Sequence, residues 1–371
     1  MQDITAAPAA PWELPPVEVG GGRALAGHTL IAGATVLLAI VVTLQLLQSF
    51  DVADHGFDTW RPVAYAYVAW SVALCVGLVL ARGEQGRRAV FVLPAVLFTV
   101  AMVVFPTAFG LYIAFTDWNL QAVSGRSFNG LDNLRHLFQD DGFWNAMRNM
   151  VVYSLSVLGQ YAVAFGLALL LNQDIRGRKF FRVAFLLPFM LSPVAVSWMI
   201  GRSILDPRFG PAGMLAKKLG WEDPAFFATP WIARLSVIAM DAWYSIPFVM
   251  VLLLAGLQGL PGEILESAKV DGARAWQSFW HMTFPLMLPV SMTAIVLRLI
   301  FQLKLADIVL TVTAGGPGGA TDTVSSFIFR EYRDRSNVGY GTALAQFYLV
   351  AIIVFITVLL ALLSRGMRRY T

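Results

Sequence analysis

About eight apolar stretches, each long enough to cross a bilayer as a helix, constrain this chain more than any other feature; they lie near 29–49, 62–81, 89–114, 150–171, 183–204, 233–257, 284–303 and 342–363. A helix rises about 1.5 Å per residue, so roughly 20 apolar residues match a hydrocarbon core of ~30 Å. Of the 371 residues, 57% are hydrophobic and only 13% are charged. A water-soluble fold of this length could not hide that share in its core, so lipid must solvate much of the surface. The predicted fold class is an all-α integral membrane protein, a polytopic bundle of about eight transmembrane helices.

Charge orients the bundle. Arg82, Arg87 and Arg88 lie between spans two and three, Arg176, Arg178, Lys179 and Arg182 between four and five, and Arg365, Arg368 and Arg369 after the last. All three clusters fall on one side if every stretch is a true span, while Asp51, Asp54 and Asp58 fall on the other. The positive-inside rule then places both termini in the cytoplasm. Short basic clusters between apolar runs, with a net charge of only +4, fit the inner leaflet and argue against a nucleic-acid surface. Residues 1–28, rich in Pro, Ala and Gly and without apolar periodicity, read as a disordered cytoplasmic tail. The first apolar run is too long for a signal-peptide core and is expected to be retained. Cys75 is the single cysteine, which rules out a disulfide framework or a thiolate metal site. The fifth stretch contains Pro188 and Pro193, so that helix should kink, either beside a cavity or simply in packing.

The segment between spans six and seven is different in kind. It runs from Leu260-Pro261-Gly262-Glu263 through Glu266-Ser267-Ala268-Lys269-Val270-Asp271-Gly272-Ala273 to Phe284-Pro285. Pro261 suits a first helical turn and Glu263 complements the positive end of the helix dipole. Asp271-Gly272 favours a turn, and Gly costs about 1 kcal/mol inside a helix. A second short helix is expected from Ala273 to about His281. The result is a helix–turn–helix knob with small residues where another backbone could come close. Glu263, Glu266 and Asp271 outnumber Lys269 and Arg274, so the knob breaks the positive-inside pattern, as a docking surface would.

This segment resembles the coupling motif of ABC-importer permeases: Glu-Ala-Ala, three residues, Gly, then a more distant Pro. Here it stands as Glu266-Ser267-Ala268, Gly272 and Pro285, with Ser in the second place. The resemblance covers residues 89–371 and is closest to the carbohydrate-uptake branch. Other parts that look like that branch are Phe128-Asn129-Gly130-Leu131-Asp132-Asn133, Phe143 to Asn149, Gly177 to Arg182, Leu187-Pro188 and Ser192-Pro193. Spans one and two (29–88) lie outside the common six-helix core and resemble the additional N-terminal helices of maltose-type subunits. The short basic end, Arg365 to Thr371, is similar to that of the maltose and glycerol-phosphate permeases.

The resemblance implies a type I importer permease fold whose coupling loop, 260–285, meets an ATPase through Glu266, Ser267, Ala268, Asp271, Gly272 and Ala273. It implies four kinds of company: a second permease, two ATPase subunits, an extracytoplasmic solute-binding protein and the lipid of a bacterial cytoplasmic (inner) membrane. ATP and Mg would sit on the ATPase subunits, with no cofactor or metal on this chain and no chemistry of its own. By omission the sequence agrees, since it has no phosphate-binding Gly-x-x-x-x-Gly-Lys-[Ser/Thr] loop and only four scattered histidines, His28, His55, His136 and His281. The expected function is the translocation path for a sugar, polyol or related solute. An ion-coupled secondary transporter would also carry polar residues within its spans but has no use for the knob. A membrane-embedded enzyme would need a clustered acid, base or metal site, and none is visible.

Six residues mark a candidate path. Asp241 lies some 13 Å into span six at about 1.5 Å per residue, where a carboxylate costs ~2.5–3.5 kcal/mol and should face a cavity or a paired cation. Trp243 and Tyr244 follow it, and Gln302, Lys304 and Gln346 could converge on the same cavity. Lys304 could instead neutralise Asp241 or reach the outer interface. The alternative for each is interhelical packing without solute contact. Beyond span seven, Gly315, Gly316, Pro317, Thr321 and Asp322 fall in the external loop Thr311–Thr323. Such a loop suits either an adaptable contact for the binding protein or a plain connector.

Overall fold

The computed structural model describes residues 20–49, 56–123 and 125–367. Asp51, Asp54, His55, Arg368 and Arg369, together with most of the expected N-terminal tail, lie outside them. The chain divides into two compact units, Met1–Phe109 and Gly110–Thr371. Packing thus sets the boundary some twenty residues beyond position 88, because most of the third span folds with the first two.

In the first unit, α1 (Gly21–Ser49) begins inside the stretch expected to be a tail, since Arg23 to Ala26 already favour helix. The next helical stretch, Arg61–Ile113, would be far too long for one crossing. It doubles back at Gly83, whose φ of 57° and ψ of −117° suit a residue without a side chain. Two contacts prove the reversal. The Tyr67 hydroxyl donates to the Leu97 carbonyl at 2.7 Å, and the ring of Trp60 lies 6.0 Å from that of Phe105. A straight helix would put either pair tens of ångströms apart at about 1.5 Å per residue. The arms α2 (61–82) and α3 (84–113) are therefore separate spans, as the sequence predicts.

The second unit contains α4 (Asp132–Gln139), α5 (Asp141–Asn172), α6 (Arg178–Met190), α7 (Pro193–Ile204) and α8 (Pro211–Lys218). There follow α9 (Pro230–Gln258), α10 (Gly262–Val270), α11 (Ala275–Ser278), α12 (Phe284–Gln302), α13 (Asp307–Val312), α14 (Val324–Arg333) and α15 (Val338–Met367). The expected proline kink is a corner: α6 and α7 meet at 97°. Pro188 is accommodated near the end of α6, and Pro193 starts α7, a position where its missing N–H is no loss. With that bent pair taken as one crossing and the hairpin at Gly83 as two, the helices of the described residues amount to about eight candidate crossings.

Half of the most apolar window of α9 is buried, against 6% in α15, so α9 is central, while α15 is buried near its start and faces outward along its most apolar stretch. Two apolar clusters fill the second unit. One gathers Phe143, Met150, Tyr153, Val237, Met240, Ile308, Val324 and Leu344. The other gathers Phe165, Leu171, Met250, Leu253, Met287 and Ala294. Along α5, α9 and α12 the polar residues Gln160, Asp241, Ser245 and Arg298 fall between these clusters, and all four are buried.

Candidate functional site

The buried polar layer is built from three helices. Asp241 and Ser245 are one turn apart on α9, Gln160 comes from α5, and Arg298 comes from α12. The Arg298 Nη2 group is ion-paired with Asp241 Oδ2. Gln160 clamps both charges: its Nε2 donates to Asp241 Oδ2 at 3.0 Å, and its Oε1 accepts from Arg298 Nε at 3.0 Å. The Ser245 hydroxyl lies 3.2 Å from the same Oε1 and donates to the Asp241 carbonyl at 2.6 Å. A charge this deep must be matched and hydrogen-bonded, and here both conditions hold. Asp241 has its paired cation, but that cation is Arg298 and not Lys304.

This layer forms one wall of a cavity of about 250 Å³. Asp241, Tyr244, Ser245 and Arg298 supply its polar side, Phe189, Phe248 and Phe301 its aromatic side, and Lys304 and Asp307 its rim. The Phe189 and Phe248 rings stack at 5.3 Å just before the α6–α7 corner, and Lys304 Nζ sits 5.5 Å from the Phe301 ring centre. Aromatic faces beside a few fixed polar groups are the usual make-up of a small-molecule site. Of the six path residues, Asp241, Tyr244 and Lys304 share this cavity. Gln302 is fully buried on α12, one turn beyond Arg298. Trp243 is exposed on the surface of α9, and Gln346 packs against Gly110, so neither joins the lining. Arg298 was missing from the sequence reading. An in-span arginine close to the level of a buried aspartate was the available signal.

At one end of the unit the expected knob is present. Helix α10 ends at Val270, Asp271-Gly272 turns with Gly272 at φ 76°, and α11 begins at Ala275. The second short helix is not isolated as expected, because wide turns at Phe279–Thr283 carry it straight into α12. Glu266, Ser267, Asp271 and Gly272 are exposed and Ala273 is half-buried. Ala268, expected at the surface, is buried, and its carbonyl accepts from the Ala273 N–H at 3.0 Å. Its small side chain therefore serves the packing of the knob itself. Beside the turn, Val270 and Trp276 project into the open, and Trp276 joins Phe279, Trp280 and Phe284 in an aromatic base.

At the other end, the 313–323 loop is largely buried and closely tied by hydrogen bonds. Gly315, Thr321 and Asp322 are buried, while Gly316 and Pro317 are half-buried and Gly318 is exposed. Its carbonyls are held from α5 and α9. Asn149 donates to Gly319 and Asp322, Tyr153 donates to Thr321, and Arg234 donates to Ala320. Inside it, Asp322 pairs with Arg330 and accepts from Ser326 Oγ at 3.1 Å. Burial nonetheless raises the Asp322 carboxyl above its ordinary range, and it does the same to Glu331 beside Arg335.

The fold and its sites define a class: a polytopic helical transport subunit with a walled cavity beside a buried charge pair and an exposed helix–turn–helix knob at one end. The chain belongs to the family of binding-protein-dependent transport system inner membrane components, whose model matches residues 73–369. A probable ABC transporter permease protein of Pyrococcus horikoshii is 31% identical, over 72% of this chain and 91% of its own length. The sn-glycerol-3-phosphate transport system permease of Agrobacterium fabrum is 30% identical, over 71% and 89%. The trehalose/maltose transport system permease of Thermococcus litoralis is 29% identical, over 72% and 90%. In fold, a chain of a bacterial ABC transporter involved in import of the acidic polysaccharide alginate superposes with a TM-score of 0.66. The two are 24% identical, and the match covers 76% of this chain and 98% of that one.

Proposed function

We propose that this chain is one of the two permeases of an ATP-driven, binding-protein-dependent importer and that its cavity lies on the path of a sugar, polyol or related solute. The knob carries the reading. A left-handed glycine at a turn tip, open space beyond it, and exposed Glu266, Ser267, Asp271 and Trp276 make a surface that a partner backbone can approach closely. Relatives named for trehalose/maltose, sn-glycerol-3-phosphate and sulfoquinovosyl glycerol support the solute class.

In this assembly two ATPase subunits bind ATP and Mg, a second permease closes the cavity, and an external binding protein delivers solute to the end bearing Gly316, Pro317 and Gly318. The knob and both termini face the cytoplasm of a bacterial inner membrane, as the basic clusters require. The intramembrane aspartate, the one feature that would favour an ion-coupled transporter, is already neutralised by Arg298. The test is to purify the chain from its native membrane. Copurification of a subunit with a phosphate-binding loop, and ATP hydrolysis stimulated by a solute-loaded binding protein, is the expected result. Solute uptake under an ion gradient by this chain alone would refute it.

A further inference from the structure

Helix α5 touches every part of the proposed machine in turn. Near its start, Asn145 Nδ2 donates to the Gly319 carbonyl at 2.6 Å, Asn149 Nδ2 to Gly319 and Asp322 at 3.0 and 2.9 Å, and the Tyr153 hydroxyl to Thr321 at 3.1 Å. At its middle, Gln160 holds Asp241 and Arg298. One position on, the Tyr161 hydroxyl donates to Ser291 Oγ on α12 at 2.8 Å. A turn later, the Phe165 ring meets Phe279 and Phe284, the base of the knob, at 5.6 and 6.2 Å. Positions 145, 149, 153, 157, 160, 164 and 168 recur every three or four residues and so share one face. Its members Val157, Ala164 and Ala168 are buried along this side of the helix.

The two other helices that carry the buried polar layer, α9 and α12, are both interrupted. The α12 helix is joined to the knob through the wide turns at Phe279–Thr283 and stops at Gln302 before α13. Within α9, Pro247 removes a backbone donor. The α5 helix runs unbroken from Asp141 to Asn172 without proline. Packed interiors are dense and shift between discrete arrangements rather than compressing. A rod gripping the loop at one end and the knob at the other must therefore move both or neither.

We propose that α5 is the strut linking the 313–323 loop to the ATPase-facing knob, and that Gln160 is the positioning residue tying the cavity's Asp241–Arg298 wall to that strut. This rests on the importer reading above. Because Gln160 uses both ends of its amide, a shift of α5 carries the charge pair with it. Arrival of the binding protein, the shape of the solute path and the stance of the knob then change in one movement.

The test is a double-mutant cycle between the two ends of α5 in the assembled importer in lipid nanodiscs, reading basal and binding-protein-stimulated ATP hydrolysis. Tyr153→Phe removes only the hydroxyl on Thr321, and Phe165→Leu removes the ring contacts with Phe279 and Phe284, and with Tyr161 on α5 itself, while keeping an apolar side chain in the cluster. The sites are about 18 Å apart at 1.5 Å per residue, and sites farther apart than roughly 7–10 Å with no shared partner act independently. We expect each variant to lower the stimulated rate with basal hydrolysis unchanged, and the double variant to be no worse than the poorer single. Losses that multiply, or two single variants with normal stimulation, would overturn the proposal. Gln160→Leu should cut stimulation by about tenfold, on the scale known for coupling mutations, with binding-protein affinity retained; normal stimulation in that variant also refutes it. If Gln160→Leu fails to assemble, the cycle alone decides. A wild-type complex with no stimulation at all would instead defeat the importer reading, and this inference with it.

Discussion

Removing Arg298 should be far more damaging than removing Arg298 and Asp241 together. The two side chains are only 3% and 6% exposed, so neither charge can recover solvation if its partner is lost. Breaking a buried pair by deleting one member costs about 3–5 kcal/mol, whereas replacing both by apolar groups is often neutral or better. Arg298→Met leaves the Asp241 carboxylate with only the Gln160 amide, and Asp241→Leu leaves a guanidinium between two apolar clusters. For a unit of this size, 1 kcal/mol corresponds to roughly 2–4 °C in melting temperature. Each single variant should therefore melt about 6–20 °C lower in detergent, by the same scaling. The double variant Asp241→Leu/Arg298→Met should recover most of that loss. The assay is thermal unfolding of the purified chain followed by size-exclusion. If the double variant is destabilised by the sum of the singles, the two groups do not act as a pair and the polar layer has been misread.

Three further outcomes follow from the geometry. At Gly272, Asn tolerates a left-handed backbone and Val does not, so Gly272→Asn should keep knob folding while Gly272→Val loses it; loss of ATPase assembly in both would show that the partner needs the bare backbone, and normal assembly of the Val variant would refute the turn. With Cys75 replaced by Ala, a cysteine at Gly318 should react with a membrane-impermeant maleimide much faster than one at Thr321, because Gly318 is exposed and Thr321 fully buried; equal rates would mean the loop opens freely. Burial raises the Asp322 and Glu331 carboxyls in the folded state, so the folded form binds protons more readily than the unfolded form. The 313–337 region should then be best protected at low pH and lose protection as pH rises through the folded values. Hydrogen exchange at pH 5 and pH 8, corrected for intrinsic rates, checks this, and greater protection at pH 8 contradicts it.

What could be read beforehand was whatever depends on local pattern. Apolar run length located the spans, because lipid acts on each segment separately. The knob was legible because Asp271-Gly272 is a turn signal in its own right. The corner at Leu191-Ser192 was half legible: two prolines announce a break, but its 97° follows from how α6 and α7 pack against neighbours. Partners that are distant in sequence were not legible. Arg298 sits 57 positions after Asp241 in a different span, and Gln160 is 81 positions before it. No spacing rule joins three helices, although an arginine within a span should itself have prompted a search for its carboxylate.

The glycine-rich loop shows what composition alone leaves undecided. Glycine in a sequence signals freedom in the unfolded chain, which leaves an adaptable contact and a plain connector equally open. In the folded protein the same glycines serve a close approach. Gly315 stands at φ 87° with the Asp322 carboxylate against the place a side chain would occupy, and Gly319 stands at φ 79° beside the Asn145 amide. Side chains there would displace the carboxylate that binds Arg330 and the amide that binds the Gly319 carbonyl. Conformational permissiveness is thus spent on a fixed shape. That shape leaves Ala314 and Gly318 exposed and Gly316, Pro317 and Gly319 half-buried, while the Gly319, Ala320, Thr321 and Asp322 carbonyls are held from α5 or α9 and the Asp322 carboxylate from α14. A binding protein landing on such a ridge meets a surface braced on the transmembrane helices, so that force applied there passes into the bundle and is not absorbed by a slack loop.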